Sequence, residues 1–277
     1  MKKTIIALMA LGGVAMAIDP AVTVVVTGSG SQSSNGYTTI LQAVDAAGQG
    51  IDGDLFWSHS GAAFNKEEQS FTTNGNCVVQ FIDKNSGLSG ANDLTLNSLS
   101  LSFDASFSLN FANDGTQTMT TLTSVGLDNN DAVYLIGVEN NKWVINSASN
   151  TNALTLSNQY TIGEGVTSVS GSYIVSSSVT ENAGQYTYTI NVIDSESNTL
   201  LVSGSHTGVS KNGVTSGYFG GTNVMLGFGG HFGDGESPHA VGEYSNVKIY
   251  NAVIPEPTTA TLSLLALCGL AARRRRK

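Results

Sequence analysis

Residues 99–111, in the middle of the chain, alternate strictly between apolar and polar side chains. The apolar members are Leu99, Leu101, Phe103, Ala105, Phe107, Leu109 and Phe111. Successive side chains of a β-strand point to opposite faces, so this pattern predicts a strand with one face in a core and the other in solvent. The run is longer than a usual strand of about 3–10 residues, which predicts a bend or bulge near Asp104.

The same period of two recurs from residue 21 to residue 252. It predicts further strands at 21–27, 131–139, 143–146, 172–176, 186–193, 200–204, 223–228 and 244–250. Short polar turns at 128–130, 140–141, 182–184 and 195–198 favour antiparallel pairing of these strands. Ile40, Leu41, Val44 and Ala47 recur at helical spacing and predict one short amphipathic helix. The predicted fold class is all-β, an antiparallel sandwich of two sheets in a single domain, 18–252.

Charge divides the chain into three parts. Of the 12 basic residues, seven lie at the two ends, and only Lys66, Lys84, Lys142, Lys211 and Lys248 lie between them. Twenty of the 21 acids lie between Asp19 and Glu243, so this region has a formal charge of 5 − 20 = −15. Such a domain repels phosphate backbones and anionic lipid headgroups, which excludes nucleic acid as a partner.

The first 17 residues are typical of a signal peptide. Lys2 and Lys3 form a positive region, an apolar stretch follows, and Ala15 and Ala17 supply the small residues that signal peptidase recognises. The apolar stretch is too short to span a membrane comfortably, so we expect cleavage after Ala17 and a mature chain that begins near Ile18.

The last 25 residues, 253–277, form a three-part tail. Pro255, Glu256 and Pro257 break secondary structure, 258–272 carries no charge, and Arg273, Arg274, Arg275, Arg276 and Lys277 close the chain. A helix over 258–272 would span about 22 Å, against about 30 Å of hydrocarbon. The positive-inside rule places its poly-Arg end in the cytoplasm and the domain outside.

This tail resembles the PEP-CTERM sorting signal of Gram-negative bacteria in the order and spacing of its three parts. The resemblance implies that an exosortase-type membrane protease recognises the tail and cuts near Pro255–Pro257. It also implies an exported protein that is anchored transiently in the inner membrane and then delivered to the outer surface or an extracellular matrix.

Three segments of the domain resemble the concanavalin A-like, laminin-G-like jelly roll. They are the run 102–111, the strand around 186–192 and the closing segment 242–251, and the resemblance covers about 55–252. It implies a jelly-roll sandwich of the kind that often binds carbohydrate.

The sequence offers little for catalysis. The Glu-x-Asp-x-x-Glu pattern of glycosidases in that superfamily is absent from this sequence. Glu67 and Glu68 are adjacent, and we predict that they belong to a solvated loop. We find no Gly-x-Ser-x-Gly elbow for a serine nucleophile. Because Cys77 has no basic neighbour in the sequence, we predict that it is a buried apolar residue rather than a nucleophile. No disulfide is expected. We therefore predict a protein that is not an enzyme.

Candidate ligand-binding residues lie in three places. His231, Asp234, Glu236 and His239 share a Gly-rich loop, where they could bind zinc or calcium, line a sugar site, or belong to a plain surface loop. Asp128 and Asp131 offer oxygens for calcium but lack a calcium-loop spacing, and a plain turn is the alternative. Trp57 and His59 could stack on and hydrogen-bond a sugar, while core packing is the alternative for Trp57 and for Trp143. No cofactor is required, and calcium is the one left open.

These observations predict a non-catalytic surface protein whose jelly roll binds carbohydrate or another extracellular polymer. The alternatives are a structural matrix component without a small ligand and, less favoured, a glycoside hydrolase. The first predicts an exposed aromatic side chain on a sheet face or rim loop, the second a smooth face of Ser and Thr, and the third converging carboxylates in a cleft.

Overall fold

The computed structural model describes residues 18–74, 79–83, 94–109, 119–127, 134–147, 154–208, 224–230 and 241–254. The chain divides into two compact units, one of which is Pro20–Val253; the other consists of the two ends, Met1–Asp19 and Ile254–Lys277. The predicted signal peptide and the predicted apolar helix of the tail lie outside the described residues. Within the described ranges, no helix is long and apolar enough to cross a membrane.

The described residues of Pro20–Val253 are built from strands and turns, with no helix among them. The strands are β1 Val22–Val26, β2 Gly30–Ser31, β3 Gly36–Thr38, β4 Leu41–Val44, β5 Leu55–Ser58, β6 Ala63–Asn65, β7 Ser70–Asn74, β8 Val79–Asp83, β9 Ser98–Ser108, β10 Met119–Leu127, β11 Tyr134–Glu139, β12 Lys142–Ser147, β13 Thr155–Ser157, β14 Ser168–Asn182, β15 Gln185–Asp194, β16 Thr199–Gly208, β17 Val224–Phe228 and β18 Val241–Tyr250.

These strands form two antiparallel sheets. The larger sheet has the order β13-β16-β15-β14-β9-β18-β7-β6-β2, and β1 joins it by pairing with both β18 and β4. The smaller sheet has the order β12-β11-β10-β17-β8-β5-β3. The prediction of an all-β antiparallel sandwich is therefore confirmed.

One hydrophobic core holds the two sheets together. Aromatic rings from the larger sheet meet rings from the smaller one: the Phe71 and Phe228 centroids are 5.4 Å apart, and those of Tyr134 and Tyr188 are 5.6 Å apart. Burial of large rings supplies most of the apolar area of such a core, and their edge-to-face contacts add about 0.5–1.5 kcal/mol per pair. Trp143, 2% exposed, packs in this core as one reading of the sequence predicted.

The central strand β9 has the alternation that its sequence predicts. Leu99, Leu101, Phe103, Ala105 and Phe107 are buried in the core. The irregularity predicted near Asp104 is found on one side of β9 only: β9 pairs with β14 without interruption from Ser98 to Ser108, whereas its ladder with β18 shifts register beside Asp104. The register shift lies in the neighbouring strand β18, between Ser245 and Lys248, where Asn246 has a φ of 52°.

The prediction of a helix around 40–47 is wrong. Leu41 and Ala43 are buried while Gln42 is exposed, and this strand, β4, pairs with β1. The chain then turns at Asp45, whose Oδ1 accepts hydrogen bonds from the backbone N–H groups of Ala47 and Gln49 at 2.9 and 2.8 Å. An Asp side chain that satisfies nearby N–H groups in this way favours a turn over a continuing helix.

Two hairpins confirm the predicted turns. Glu139 pairs with Lys142, so Asn140 and Asn141 alone connect β11 to β12, with φ of 49° and 61°. Positive φ at both central residues is the mark of a type I′ turn, which Asn tolerates better than most residues. Ala183 and Gly184, with φ of 50° and 77°, connect β14 to β15 in the same way.

Candidate functional site

The outer face of the smaller sheet carries a pair of aromatic rings, of which Tyr37 is exposed and Trp57 half-buried. Tyr37 of β3 and Trp57 of β5 are partners in the ladder, and their ring centroids are 5.2 Å apart at 89°. The neighbours of Trp57 along β5, Phe56 and Ser58, are buried, so the alternation of the strand turns Trp57 to the other face. Tyr37 is 56% exposed, which makes its ring the most accessible large apolar side chain among the described residues.

Polar groups flank this aromatic pair. Gln80 of β8 is the ladder partner of Trp57 on the side away from Tyr37 and is 3% exposed. His59 follows β5 by one residue and is half-buried. An accessible aromatic ring with an imidazole nearby can stack on a flat apolar surface and hydrogen-bond polar groups at its rim. Of the predicted ligand-binding residues, the structure thus brings Trp57 and His59 to one end of β5.

The rest of this outer face is apolar and buried. Five side chains of the smaller sheet form a second cluster with exposures of 3–6%, separate from the main core: Ile82, Met119, Leu135, Val144 and Met225. The register places Ile82 beside Leu55 and Met225, on the same face as Trp57. The aromatic pair is therefore the accessible margin of a largely apolar face.

The outer face of the larger sheet has a different character. On β13, β14, β15 and β16 it consists of small hydroxyl and amide side chains that are exposed or half-buried: Thr155, Ser157, Ser178, Thr180, Thr187, Thr189, Asn191, Ser203, Ser205 and Thr207. Neighbours across strands can bond directly, as Thr187 and Thr207 do with hydroxyl oxygens 3.0 Å apart. This is the smooth Ser and Thr surface expected of a structural component.

A shallow groove of about 390 Å³ lies on the same sheet and is lined by Asp104, Ser106, Ser172, Glu196 and Glu243. Its carboxylates are held by hydrogen bonds: Ser172 Oγ donates to Asp104 Oδ1 at 2.6 Å, and Asn246 Nδ2 donates to Asp104 Oδ2. Among the residues that the structure describes, no group of three or more His, Cys, Asp or Glu side chains could hold a metal ion.

Other predicted residues have different outcomes. Glu67 and Glu68 are exposed in the turn after β6, with their backbone N–H groups bonded to Asn65, which confirms the solvated loop. Several predictions fall outside the described residues: the loop with His231, Asp234, Glu236 and His239, the turn at Asp128 and Asp131, Cys77, the cleavage residues Ala15 and Ala17, and the sorting residues Pro255, Glu256, Pro257 and Arg273–Arg276.

Comparison with known proteins gives no family for this chain. No family model matches it, and no curated protein does.

Solved structures share only a distant likeness with the chain. The sialidase of Trypanosoma rangeli is 11% identical, with a TM-score of 0.47 over 84% of this chain and 31% of its own. The binding domain of botulinum neurotoxin serotype G is 12% identical, with a TM-score of 0.37 over 86% and 51%. The winged bean acidic lectin in complex with methyl-α-D-galactose is 9% identical, with a TM-score of 0.37 over 70% and 93%. The chain thus spans about a third of the sialidase and half of the neurotoxin chain.

Proposed function

We propose that this chain is an exported, non-catalytic surface protein that binds carbohydrate through the Tyr37–Trp57 pair of a concanavalin A-like jelly roll. The observation that carries the proposal is the 56% exposure of Tyr37, whose ring meets Trp57 edge to face at the margin of a sheet. The exposed Tyr37 ring beside a half-buried indole offers an aromatic surface, and a sugar ring presents a flat apolar face of suitable size.

The charge of the domain narrows the class of polymer. With a formal charge of −15 between Asp19 and Glu243, the domain repels acidic polysaccharides over distances of about a Debye length, near 8–10 Å in physiological salt. The proposed ligand is therefore a neutral or cationic glycan, with the half-buried His59 as a hydrogen-bonding group at its edge.

Export and sorting are the second part of the proposal, and they rest on the sequence of the two ends. Signal peptidase removes 1–17, and an exosortase-type protease cuts near Pro255–Pro257 and delivers the domain to the cell surface or an extracellular matrix. The mass of the protein recovered from its native cells tests this part. A chain that begins near Ile18 and ends near Val253 supports it, whereas an intact chain in the cytosol contradicts it.

A glycan array tests the binding part. We expect the full chain to bind neutral or amino glycans, Tyr37→Ala to lose at least tenfold in affinity, and Tyr37→Phe to retain it, because Phe keeps the ring. The phenylalanine variant is the matched control, since it changes the same exposed position without removing the stacking surface. Absence of binding to every glycan, with and without calcium, or unchanged binding by Tyr37→Ala would refute the proposal.

A structural matrix component is the second candidate function, and the Ser and Thr surface on β13–β16 favours it. On this view the chain packs against other matrix material through hydroxyl groups and needs no small ligand. This candidate would be favoured over the first if the chain bound no glycan on the array and if the Tyr37→Ala variant, expressed in its native cells, were still retained in the extracellular matrix. Release of sugar from the same glycans would instead favour a hydrolase.

A further inference from the structure

A cavity of about 280 Å³ opens at the edge of the sandwich opposite the Tyr37–Trp57 pair, beside β12. Its lining includes Trp143, Tyr160, Ile162, Tyr173, Asp194 and Leu201. This volume lies just below the usual range of small-molecule sites, roughly 300–1,000 Å³, so the cavity suits a single ring.

Tyr160 forms the outer wall of the cavity. Its backbone is fixed on both sides: its N–H donates to Leu201 O at 2.7 Å, and its carbonyl accepts from the Trp143 N–H at 3.0 Å. The side chain is nevertheless 51% exposed. Because these two hydrogen bonds hold the backbone of Tyr160, its exposed ring is preorganised for binding and little backbone entropy is lost when a ligand contacts it.

Tyr173 brings a polar group to the inner wall. Its ring lies 5.4 Å from that of Trp143 and extends over Gly171, where an added Cβ would be 3.3 Å from the Tyr173 hydroxyl oxygen. Tyr173 is 2% exposed as a whole residue and lines the cavity. A phenol hydroxyl can both donate and accept a hydrogen bond, so a ligand hydroxyl in the cavity can bond to it.

The charges at the cavity are negative. Asp194 lines it and is oriented by the turn that follows, since its Oδ1 accepts from the N–H groups of Glu196 and Ser197, both at 3.0 Å. Burial, and then the charges of Asp194 and Glu196, raise the pKa of Tyr173, so its hydroxyl keeps its proton. Among the described residues that line the cavity there is no Lys, Arg or His. An anionic ligand is therefore disfavoured and a cationic one favoured.

We propose that this cavity is a second ligand site, which takes one sugar ring without a negative charge and takes a hexosamine best. The ring stacks on Tyr160, the Tyr173 hydroxyl bonds a ring hydroxyl, and the Asp194 carboxylate pairs with the ammonium group. The inference stands on this cavity alone and does not depend on sugar binding at Tyr37 and Trp57.

The two tryptophans of the chain allow each site to be observed separately. In the full chain with Trp57→Phe, Trp143 is the sole indole. We titrate this variant with glucosamine, glucose and glucuronic acid and follow Trp143 fluorescence. The expected result is a saturable change with affinities in the order glucosamine, glucose, glucuronic acid, and at least a fivefold preference for glucosamine over glucose. Asp194→Asn should abolish that preference, because Asn keeps an oxygen for the turn but loses the charge.

Tyr160→Ala and Tyr37→Ala, each in the Trp57→Phe background, give the decisive contrast, because Trp143 fluorescence then reports glucosamine binding at the cavity. We expect Tyr160→Ala to weaken this binding at least tenfold and Tyr37→Ala to leave it unchanged. If only Tyr37→Ala weakens binding, the sugar site is the exposed pair alone, and the cavity proposal is overturned while the proposed function survives. Equal affinity for glucuronic acid, or no saturation with any of the three sugars, also overturns it.

Discussion

Gly137 is a residue at which the smaller sheet has no room for a side chain. It lies on β11 opposite the point where Leu122 is inserted as an extra residue in β10, and a Cβ built on it would lie 2.0 Å from the carbonyl oxygen of Thr120. We expect Gly137→Ala to destabilise the protein by about 1–3 kcal/mol, the usual cost of overpacking, through a forced shift of the backbone. Urea unfolding measures the change.

Gly163 provides the control for this substitution. A Cβ there would have only an ordinary contact, 3.7 Å from Val166 Cγ2, and its φ is not positive. Gly163→Ala should therefore change stability by no more than about 0.5 kcal/mol. Equal effects of the two substitutions would show that β10 and β11 can separate at the inserted residue without cost.

The same inserted residue connects the sheets. The Leu122 carbonyl accepts hydrogen bonds from the Gly229 N–H and from the Tyr244 hydroxyl of the larger sheet, each at 2.8 Å. An inserted residue leaves a backbone group without its ladder partner, and a buried one must find another. No spacing in the sequence marks Leu122 for this role, because the carbonyl belongs to the backbone and its partner is distant along the chain.

Trp143 and Trp57 show how far an alternating pattern can predict the position of a side chain. Both stand in alternating segments, which establish that each strand has two faces but not which face meets the core. Trp143 lies on the same face as its buried ladder neighbours and so faces the core. At Trp57 the residues that face the core are its chain neighbours Phe56 and Ser58, so Trp57 faces outward. Tyr37 was not predicted at all, because a strand of three residues, Gly36–Thr38, is too short to show a period.

At the scale of elements, the two type I′ hairpins offer reciprocal tests. Ala183 has a φ of 50° in the β14–β15 turn, where an L-residue without a hydrogen-bonding side chain pays roughly 1 kcal/mol. Asn tolerates this conformation better, so Ala183→Asn should stabilise the protein by about 0.5–1 kcal/mol, as measured by thermal and urea unfolding.

The opposite exchange at the β11–β12 turn is the matched control. Asn140 has a φ of 49°, so Asn140→Ala should cost about what Ala183→Asn gains. If both substitutions change stability in the same direction, left-handed conformation is not the quantity that separates Asn from Ala in these turns.

The elements that the sequence predicted are those with strong alternation or paired turn residues. Strand β9 and the hairpins at Asn140–Asn141 and Ala183–Gly184 were found on these grounds. Strand β4 was predicted as a helix, because Leu41 and Val44 also fit a period of 3.6, and four residues cannot separate the two periods. Tertiary pairing determines that this segment is a strand, because β4 hydrogen-bonds to β1 along its whole length.

For the whole molecule, the buried tyrosines predict a loss of stability in alkali. Burial raises the pKa of Tyr188 and of Tyr173 above the value of about 10 that tyrosine has in an unfolded chain. Above about pH 10 the unfolded chain releases these protons while the folded protein keeps them, so the unfolding free energy falls as pH rises. Each tyrosine contributes at most about 1.4 kcal/mol per pH unit, and neither contributes to the slope below about pH 9.

Urea unfolding at a series of alkaline pH values measures this slope, and two substitutions in β15 separate titration from packing. Tyr188→Phe removes one titrating group together with its hydroxyl contact to Ser177 Oγ at 2.9 Å, so it should lower stability at neutral pH and make the alkaline slope less steep. Ile190→Val, at a site with 0% exposure, should cost about 0.5–1.5 kcal/mol and leave the slope unchanged. The same slope in both variants would mean that solvent reaches Tyr188 before the sandwich opens, so that the core between the two sheets does not unfold as one unit.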